Sequence, residues 1–265
     1  MYLDGKAIAK KNEEYYKNFL QEKKLSPKLV IISCNPDDAS KVYLRNKTRA
    51  AKRIGIECEI ITFEETVTAK ELLAKIETLN RDKSVHGIIV QLPLPKHIDV
   101  KWVQEHIFPS KDVDGFSLNS KFSPCTPLGC LTLLDAYDLS VSGKHCTVIG
   151  RSNIVGKPLA KMLLDRNATV SVCHSHTTPE QLAEICKTSD FIFCAAGVPN
   201  LIKAEYLKEG CVLVDISINR DEEGNLCGDA EKECENVCSW ISPVPGGVGP
   251  MTVNSLMRNV ITSCC

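Results

Sequence analysis

The chain has 265 residues, 43% hydrophobic and 25% charged, with 32 Lys and Arg against 33 Asp and Glu for a formal net charge of −1. That length buries a full core, as one large domain or two modest ones. The balance lacks the basic excess of a nucleic-acid binder, and no apolar run approaches a membrane span or the core of a signal peptide, so a soluble cytoplasmic protein is expected.

Residues 1–24 are charged throughout and read as an amphipathic helix. Strand and helix then alternate. A strand is expected over 28–34, a helix over 39–54 and a strand over 57–63. The next helix, 69–79, carries Leu72, Leu73, Ile76 and Leu79 at the 3.6-residue period. Strand 86–91 is stopped by Pro93 and Pro95, and helix 100–106 and the turn-rich 109–119 follow. Helix 127–137 precedes a second alternation: strand 146–150, helix 155–165, strand 169–174, helix 179–187, and strands 191–195 and 211–215. A helix over 252–262 closes the chain. This order implies parallel sheets covered by helices. The expected class is α/β in two domains, 1–120 with the returning helix 250–265, and a Rossmann-like 121–249.

Fourteen cysteines are scattered without a Cys-x-x-Cys. Cys34, Cys146, Cys173, Cys194 and Cys211 lie inside apolar runs, where a thiol is a small core hydrophobe, so reduced thiols are expected rather than disulfides or a metal site. His174-x-His176 has no acidic or thiol partner at a defined spacing and reads as a polar loop.

Five segments carry chemistry. Tyr43-x-x-x-Lys47 puts both side chains on one face of the helix after the first strand. Tyrosine offers a ring and a hydroxyl; lysine offers an ammonium or, once desolvated, an amine. By itself the pair is also what a surface helix shows. Val90-Gln91-Leu92-Pro93 ends a parallel strand, at the edge where open α/β sheets bind ligands. Asp112-Val113-Asp114-Gly115-Phe116 sets two carboxylates in a turn: Asp112 suits turn capping, and Asp114 suits accepting from an amino-heterocycle. Gly150-Arg151-Ser152-Asn153-Ile154-Val155-Gly156 lies between strand and helix, the place of a dinucleotide-binding turn, although Ser152 stands where the second glycine is usual. Arg151, and Ser175 at the end of the next strand where an NAD enzyme places an acid, favour NADP. Last, Pro243-Val244-Pro245-Gly246-Gly247-Val248-Gly249-Pro250 is too rich in glycine and proline for an ordinary helix or central strand, and feeds a helix N-terminus.

In order and spacing these segments, with Asp4-Gly5-Lys6 before them and Cys125-Thr126-Pro127 among them, resemble bifunctional methylenetetrahydrofolate dehydrogenase/cyclohydrolase over nearly the whole chain. The resemblance implies a folate-binding first domain, an NADP-binding second domain and a homodimer formed through the latter. It implies that Lys47 is the catalytic lysine, that Tyr43 lies against the aminobenzoyl ring, that Gln91 sets the protonation of Lys47, and that Asp114 binds the pterin's amino end. Val90, Leu92, Pro245, Gly246, Gly247, Val248 and Gly249 would line the substrate site, and Gly150, Arg151, Ser152, Ser175 and Ile218 would contact NADP. Two places depart from the family: Asn35-Pro36-Asp37-Asp38-Ala39-Ser40 for Gly-x-x-Pro-Ala-Ser, and Ser217 for a glycine near the cofactor. A short-chain dehydrogenase also uses Tyr-x-x-x-Lys, but there the motif follows the nucleotide turn, whereas here it precedes it by about a hundred residues. A non-catalytic folate- or nucleotide-binding protein is the other alternative.

Overall fold

The computed structural model describes residues 1–34, 38–117 and 119–265. Of the departure at 35–40, Asn35, Pro36 and Asp37 lie outside the described residues. The elements run α1 (Gly5–Lys23), β1 (Lys28–Cys34), α2 (Asp38–Ile54), β2 (Glu57–Phe63), α3 (Ala69–Arg81), β3 (Gly87–Val90), α4 (Val100–Glu105), α5 (Cys125–Asp135), β4 (His145–Ile149) and α6 (Gly156–Asp165). They continue with β5 (Thr169–Cys173), α7 (Pro179–Thr188), β6 (Phe191–Cys194), β7 (Val212–Asp215), β8 (Asn219–Arg220), β9 (Leu226–Cys227), β10 (Trp240–Ile241) and α8 (Val248–Cys264). Two compact units result: Lys10–Cys125 with Val253–Cys265, and Met1–Ala9 with Thr126–Thr252.

The first unit holds a parallel sheet in the order β2-β1-β3. Central β1 is buried after its first residue, which is why KLVIISC reads as an unbroken apolar run, whereas edge strand β2 is mostly exposed. Ile88 N–H donates to the Lys111 carbonyl at 2.8 Å, so residues 111–113 pair alongside β3 without forming a full strand. One apolar cluster joins Leu29 and Ile31 to Leu44, Ala51 and Ile54 of α2 and Leu256, Met257 and Val260 of α8. A second joins Val30 and Ile32 to Leu72, Ile76 and Leu79 of α3. Each fully buried Leu or Ile contributes roughly 1.5–3 kcal/mol. Thr68 and Glu71 begin α3 as a reciprocal capping box.

The second unit holds a parallel sheet in the order β10-β7-β6-β4-β5. The chain runs from β4 outward to β5, then returns to β6 on the other side of β4. The β4/β6 junction is therefore the topological switch point, where open α/β sheets take ligands. Residues 1–9 group with this unit. The reason is a non-local pairing: Leu3 N–H donates to the Ile241 carbonyl, and Ile241 N–H to the Met1 carbonyl, both at 2.9 Å. A Cβ on Gly5 would overlap the Gly247 carbonyl, so this contact requires glycine. Helix α8 starts at Val248, inside the glycine- and proline-rich run and one turn before the expected 252. Pro250 is tolerated there because a first-turn N–H has no intrahelical partner to lose.

Candidate active site

Three elements of the first unit bring the predicted polar residues to the carboxyl edge of its sheet. Helix α2 follows β1 and carries Tyr43 and Lys47; Gln91 and Leu92 follow β3, whose last residue is the buried Val90; Asp114 follows the 111–113 pairing. Lys47 Nζ donates to Gln91 Oε1 at 3.0 Å. Gln91 Nε2 donates to the Leu92 carbonyl at 2.9 Å, which turns the amide so that its oxygen faces the lysine. The hydrogen bond to Gln91 fixes the direction of the Lys47 amine. Tyr43 is 42% exposed, and partial burial pushes its phenol above the usual range, so it stays neutral.

Asp114 is half-buried. Burial raises its carboxyl above the ordinary range; Lys47 pulls it down, Asp112 pushes it up, and a hydrogen bond with Cys125 lowers it. Asp112 is buried and accepts from Gly115 N–H at 3.2 Å and Ser117 N–H at 2.9 Å, the turn-capping role anticipated for it. Sequence reasoning missed the support under this turn. Asn259 of α8 is buried and donates from Nδ2 to the Val113 carbonyl at 2.9 Å and the Ser123 carbonyl at 3.1 Å. The available signal was a lone amide within the apolar stripe Leu256, Val260 and Ile261. Cys125 donates to the Val113 carbonyl at 3.4 Å, and burial holds its thiol well above the usual range.

The second unit holds the remaining predicted residues. Gly150 follows β4 with φ +120°, and a Cβ there would strike the Ala195 carbonyl after β6; one on Gly156 would strike the Gly150 carbonyl. Only glycines allow this closeness of turn, helix start and switch point, the backbone cradle a dinucleotide needs. Arg151, Ser152 and Ser175 are exposed. Ser152 Oγ accepts from Val155 N–H at 3.1 Å and Gly156 N–H at 3.4 Å, so it also serves the start of α6. Ile218, after β7, is 42% exposed. Lys6 N–H donates to the Gly246 carbonyl at 3.1 Å and Gly247 N–H to the Pro243 carbonyl at 2.8 Å, fixing the loop that holds Pro245, Gly246, Gly247, Val248 and Gly249.

The His174 and His176 rings meet edge to face with centroids 5.9 Å apart, and no group of three or more His, Cys, Asp or Glu suited to a metal occurs among the described residues. All fourteen cysteines are free. No helix among the described residues is long and apolar enough to cross a membrane.

Residues 3–114 match the model for the tetrahydrofolate dehydrogenase/cyclohydrolase catalytic domain, and residues 124–265 match that for the tetrahydrofolate dehydrogenase/cyclohydrolase NAD(P)-binding domain. The chain belongs to the tetrahydrofolate dehydrogenase/cyclohydrolase family. It is 44% identical to the bifunctional protein FolD of Streptococcus pyogenes serotype M5, over 98% of this chain and 96% of that one. Its fold matches the crystal structure of the bifunctional enzyme FolD from Campylobacter jejuni with a TM-score of 0.96 and 44% identity, covering 100% of this chain and 98% of that one. The Trypanosoma brucei methylenetetrahydrofolate dehydrogenase-cyclohydrolase, solved with NADP cofactor and an inhibitor, matches with a TM-score of 0.91 and 33% identity, over 99% and 96%. Within the tetrahydrofolate dehydrogenase/cyclohydrolase frame, Lys47, Gln91 and Asp114 fall in the catalytic-domain match, and Gly150, Arg151, Ser152, Ser175 and Ile218 in the NAD(P)-binding match.

Proposed function

We propose a division of labour among these residues for the two reactions of the family. The chain is an NADP-dependent methylenetetrahydrofolate dehydrogenase and methenyltetrahydrofolate cyclohydrolase of one-carbon metabolism: it oxidises 5,10-methylenetetrahydrofolate to the 5,10-methenyl cation and hydrolyses that to 10-formyltetrahydrofolate. The observation that carries the assignment of roles is the Lys47–Gln91 hydrogen bond beside Asp114 at one sheet edge.

Bound NADP+ supplies the hydride acceptor of the first step. The turn at Gly150 fits a dinucleotide because glycine lets it pack tightly against the Ala195 carbonyl at the switch point and against the start of α6, and Arg151 and Ser175 would hold the 2′-phosphate. The chain's own part in oxidation is alignment. Tyr43 lies against the aminobenzoyl ring, Asp114 accepts from the pterin's amino end, and Val90 and Leu92 line the substrate at this sheet edge. In hydrolysis, water adds to the methenyl carbon, the bond from that carbon to N5 breaks, and N5 gains a proton. Lys47 Nζ takes one proton from the attacking water and delivers it to N5, and the second leaves the hydroxyl for solvent as the formyl C=O forms. Gln91 Oε1 holds the Lys47 amine in place for both proton transfers. A coupled assay following NADPH and methenyl absorbance tests the scheme: both signals are expected in sequence, and a protein that binds folate but turns over neither substrate would overturn it.

Asp114→Ala is expected to weaken folate use in both reactions. A charge-assisted bond is worth about 1.5–3 kcal/mol, or roughly one to two orders of magnitude in kcat/KM. NADP+ affinity should hardly change; the reverse pattern would refute the assignment. Arg151→Ala should erase most of the preference for NADP+ over NAD+, because only the 2′-phosphate gives that guanidinium a partner. The check is kcat/KM for both cofactors with and without phosphate and Mg²⁺, and a preference for NAD+ that needs those additives would overturn it. We also assign the chain to the cytoplasm, as a homodimer through its NADP-binding unit that binds no nucleic acid; light scattering should return the mass of a dimer.

A further inference from the structure

We propose that Asp229 is a positioning residue for NADP binding, which holds Ile218 and the 196–198 loop in a single arrangement. The proposal rests on the cofactor reading above. Asp229 is fully buried, with 0% exposure, and follows the short β8–β9 hairpin. Its Oδ2 accepts from Ala196 N–H at 2.8 Å, Gly197 N–H at 3.2 Å and the Ser217 hydroxyl at 2.7 Å. Its Oδ1 accepts from Val198 N–H at 2.9 Å and Asn219 Nδ2 at 2.9 Å. None of these five donors is cationic. A buried carboxylate whose charge is met by fixed dipoles is costly to move, so it fixes whatever donates to it.

What donates to it lies at the carboxyl edge of the nucleotide sheet. Residues 196–198 follow β6 directly, beside the Gly150 turn at the switch point. Ser217 and Asn219 follow β7 and flank Ile218 on both sides, so one carboxylate tethers both neighbours of that residue. Ile218 and Val198 are 42% and 48% exposed, two apolar side chains left uncovered among backbone that is otherwise anchored. The arrangement also accounts for Ser217, which stands where the family resemblance has glycine. Its hydroxyl is turned into the Asp229 carboxylate, and it accepts from Gly197 N–H at 3.1 Å, so the substitution adds a tether between the two loops.

The test compares wild type, Asp229→Asn and Ser217→Ala as full chains. Dehydrogenase kinetics are measured against NADP+, and cyclohydrolase turnover on 5,10-methenyltetrahydrofolate supplied directly. An asparagine keeps one acceptor but aims an NH2 at N–H or O–H donors, so at least two tethers go. KM for NADP+ is expected to rise about tenfold or more in Asp229→Asn and roughly two- to fivefold in Ser217→Ala, with kcat less affected and cyclohydrolase turnover within about twofold. Proportional loss of both activities would reduce Asp229 to a structural role, and an unchanged KM in a folded variant would overturn the proposal. If Asp229→Asn fails to fold, Ser217→Ala decides by the same criterion. A wild-type chain without NADP+-dependent oxidation would instead overturn the cofactor reading, and the proposal with it.

Discussion

Lys47→Met will abolish cyclohydrolase activity while leaving part of the hydride transfer. The amine is the group that takes the proton from water and delivers it to N5, and methionine keeps the length and the packing of the stem without an exchangeable proton. Positioned general acid–base groups contribute about 10²–10⁴-fold, and a loss of that size is expected in cyclohydrolase turnover. Hydride transfer asks alignment of this residue and no proton, so dehydrogenation is expected to fall by less. The two activities measured on one folded sample give the split. Gln91 is left without the donor that reaches its Oε1 at 3.0 Å, but its Nε2 remains anchored on the Leu92 carbonyl, so the strand end should persist. Cyclohydrolase turnover near wild type in folded Lys47→Met would remove Lys47 from the mechanism.

The second large effect concerns stability and pH. Asp215, the last residue of β7, is 4% exposed, and burial, opposed by nearby backbone N–H groups and reinforced by Asp229, raises its carboxyl to about 7. An unfolded chain titrates the same group near 3.9. Between those values the folded protein holds more protons than the unfolded chain, so stability falls as pH rises from about 4 through 7 and levels off above. The whole excursion is about 4 kcal/mol at 1.36 kcal/mol per pH unit. Asp215→Asn carries no titrating proton there and should gain about 3 kcal/mol relative to wild type between pH 4.5 and 8. His86 is shifted down by burial and contributes the opposite slope, but it is present in both proteins and cancels. The chain has two tryptophans, Trp102 in the first unit and Trp240 in the second. Urea unfolding read by Trp240 in a Trp102→Phe background follows the unit that contains Asp215. Parallel stability curves for the two proteins would show that Asp215 is ionised in the fold throughout.

The alternating pattern was legible from the residues alone. Strands 28–34 and 57–63 coincide with β1 and β2, because a two-sided buried strand and its edge neighbour each leave a local mark of composition. Tyr43-x-x-x-Lys47, Gln91 and Asp114 were legible as separate segments, and the family resemblance joined them in advance. By spacing alone each stayed ambiguous, because a helix face, a strand end and a turn show their convergence only after β1 has paired with β3 and residues 111–113 have paired with β3. What tertiary structure decided is non-local throughout. Residues 1–3 pair with β10 across more than two hundred positions, and the start of α8 uses a Gly-Pro stretch that local propensity rejects. Asn259 supports the Asp114 turn, and Asp229 gathers donors from two loops. Local propensity records a residue's preference for its own backbone; burial and hydrogen-bond satisfaction are settled by partners that only folding brings within 3 Å or so.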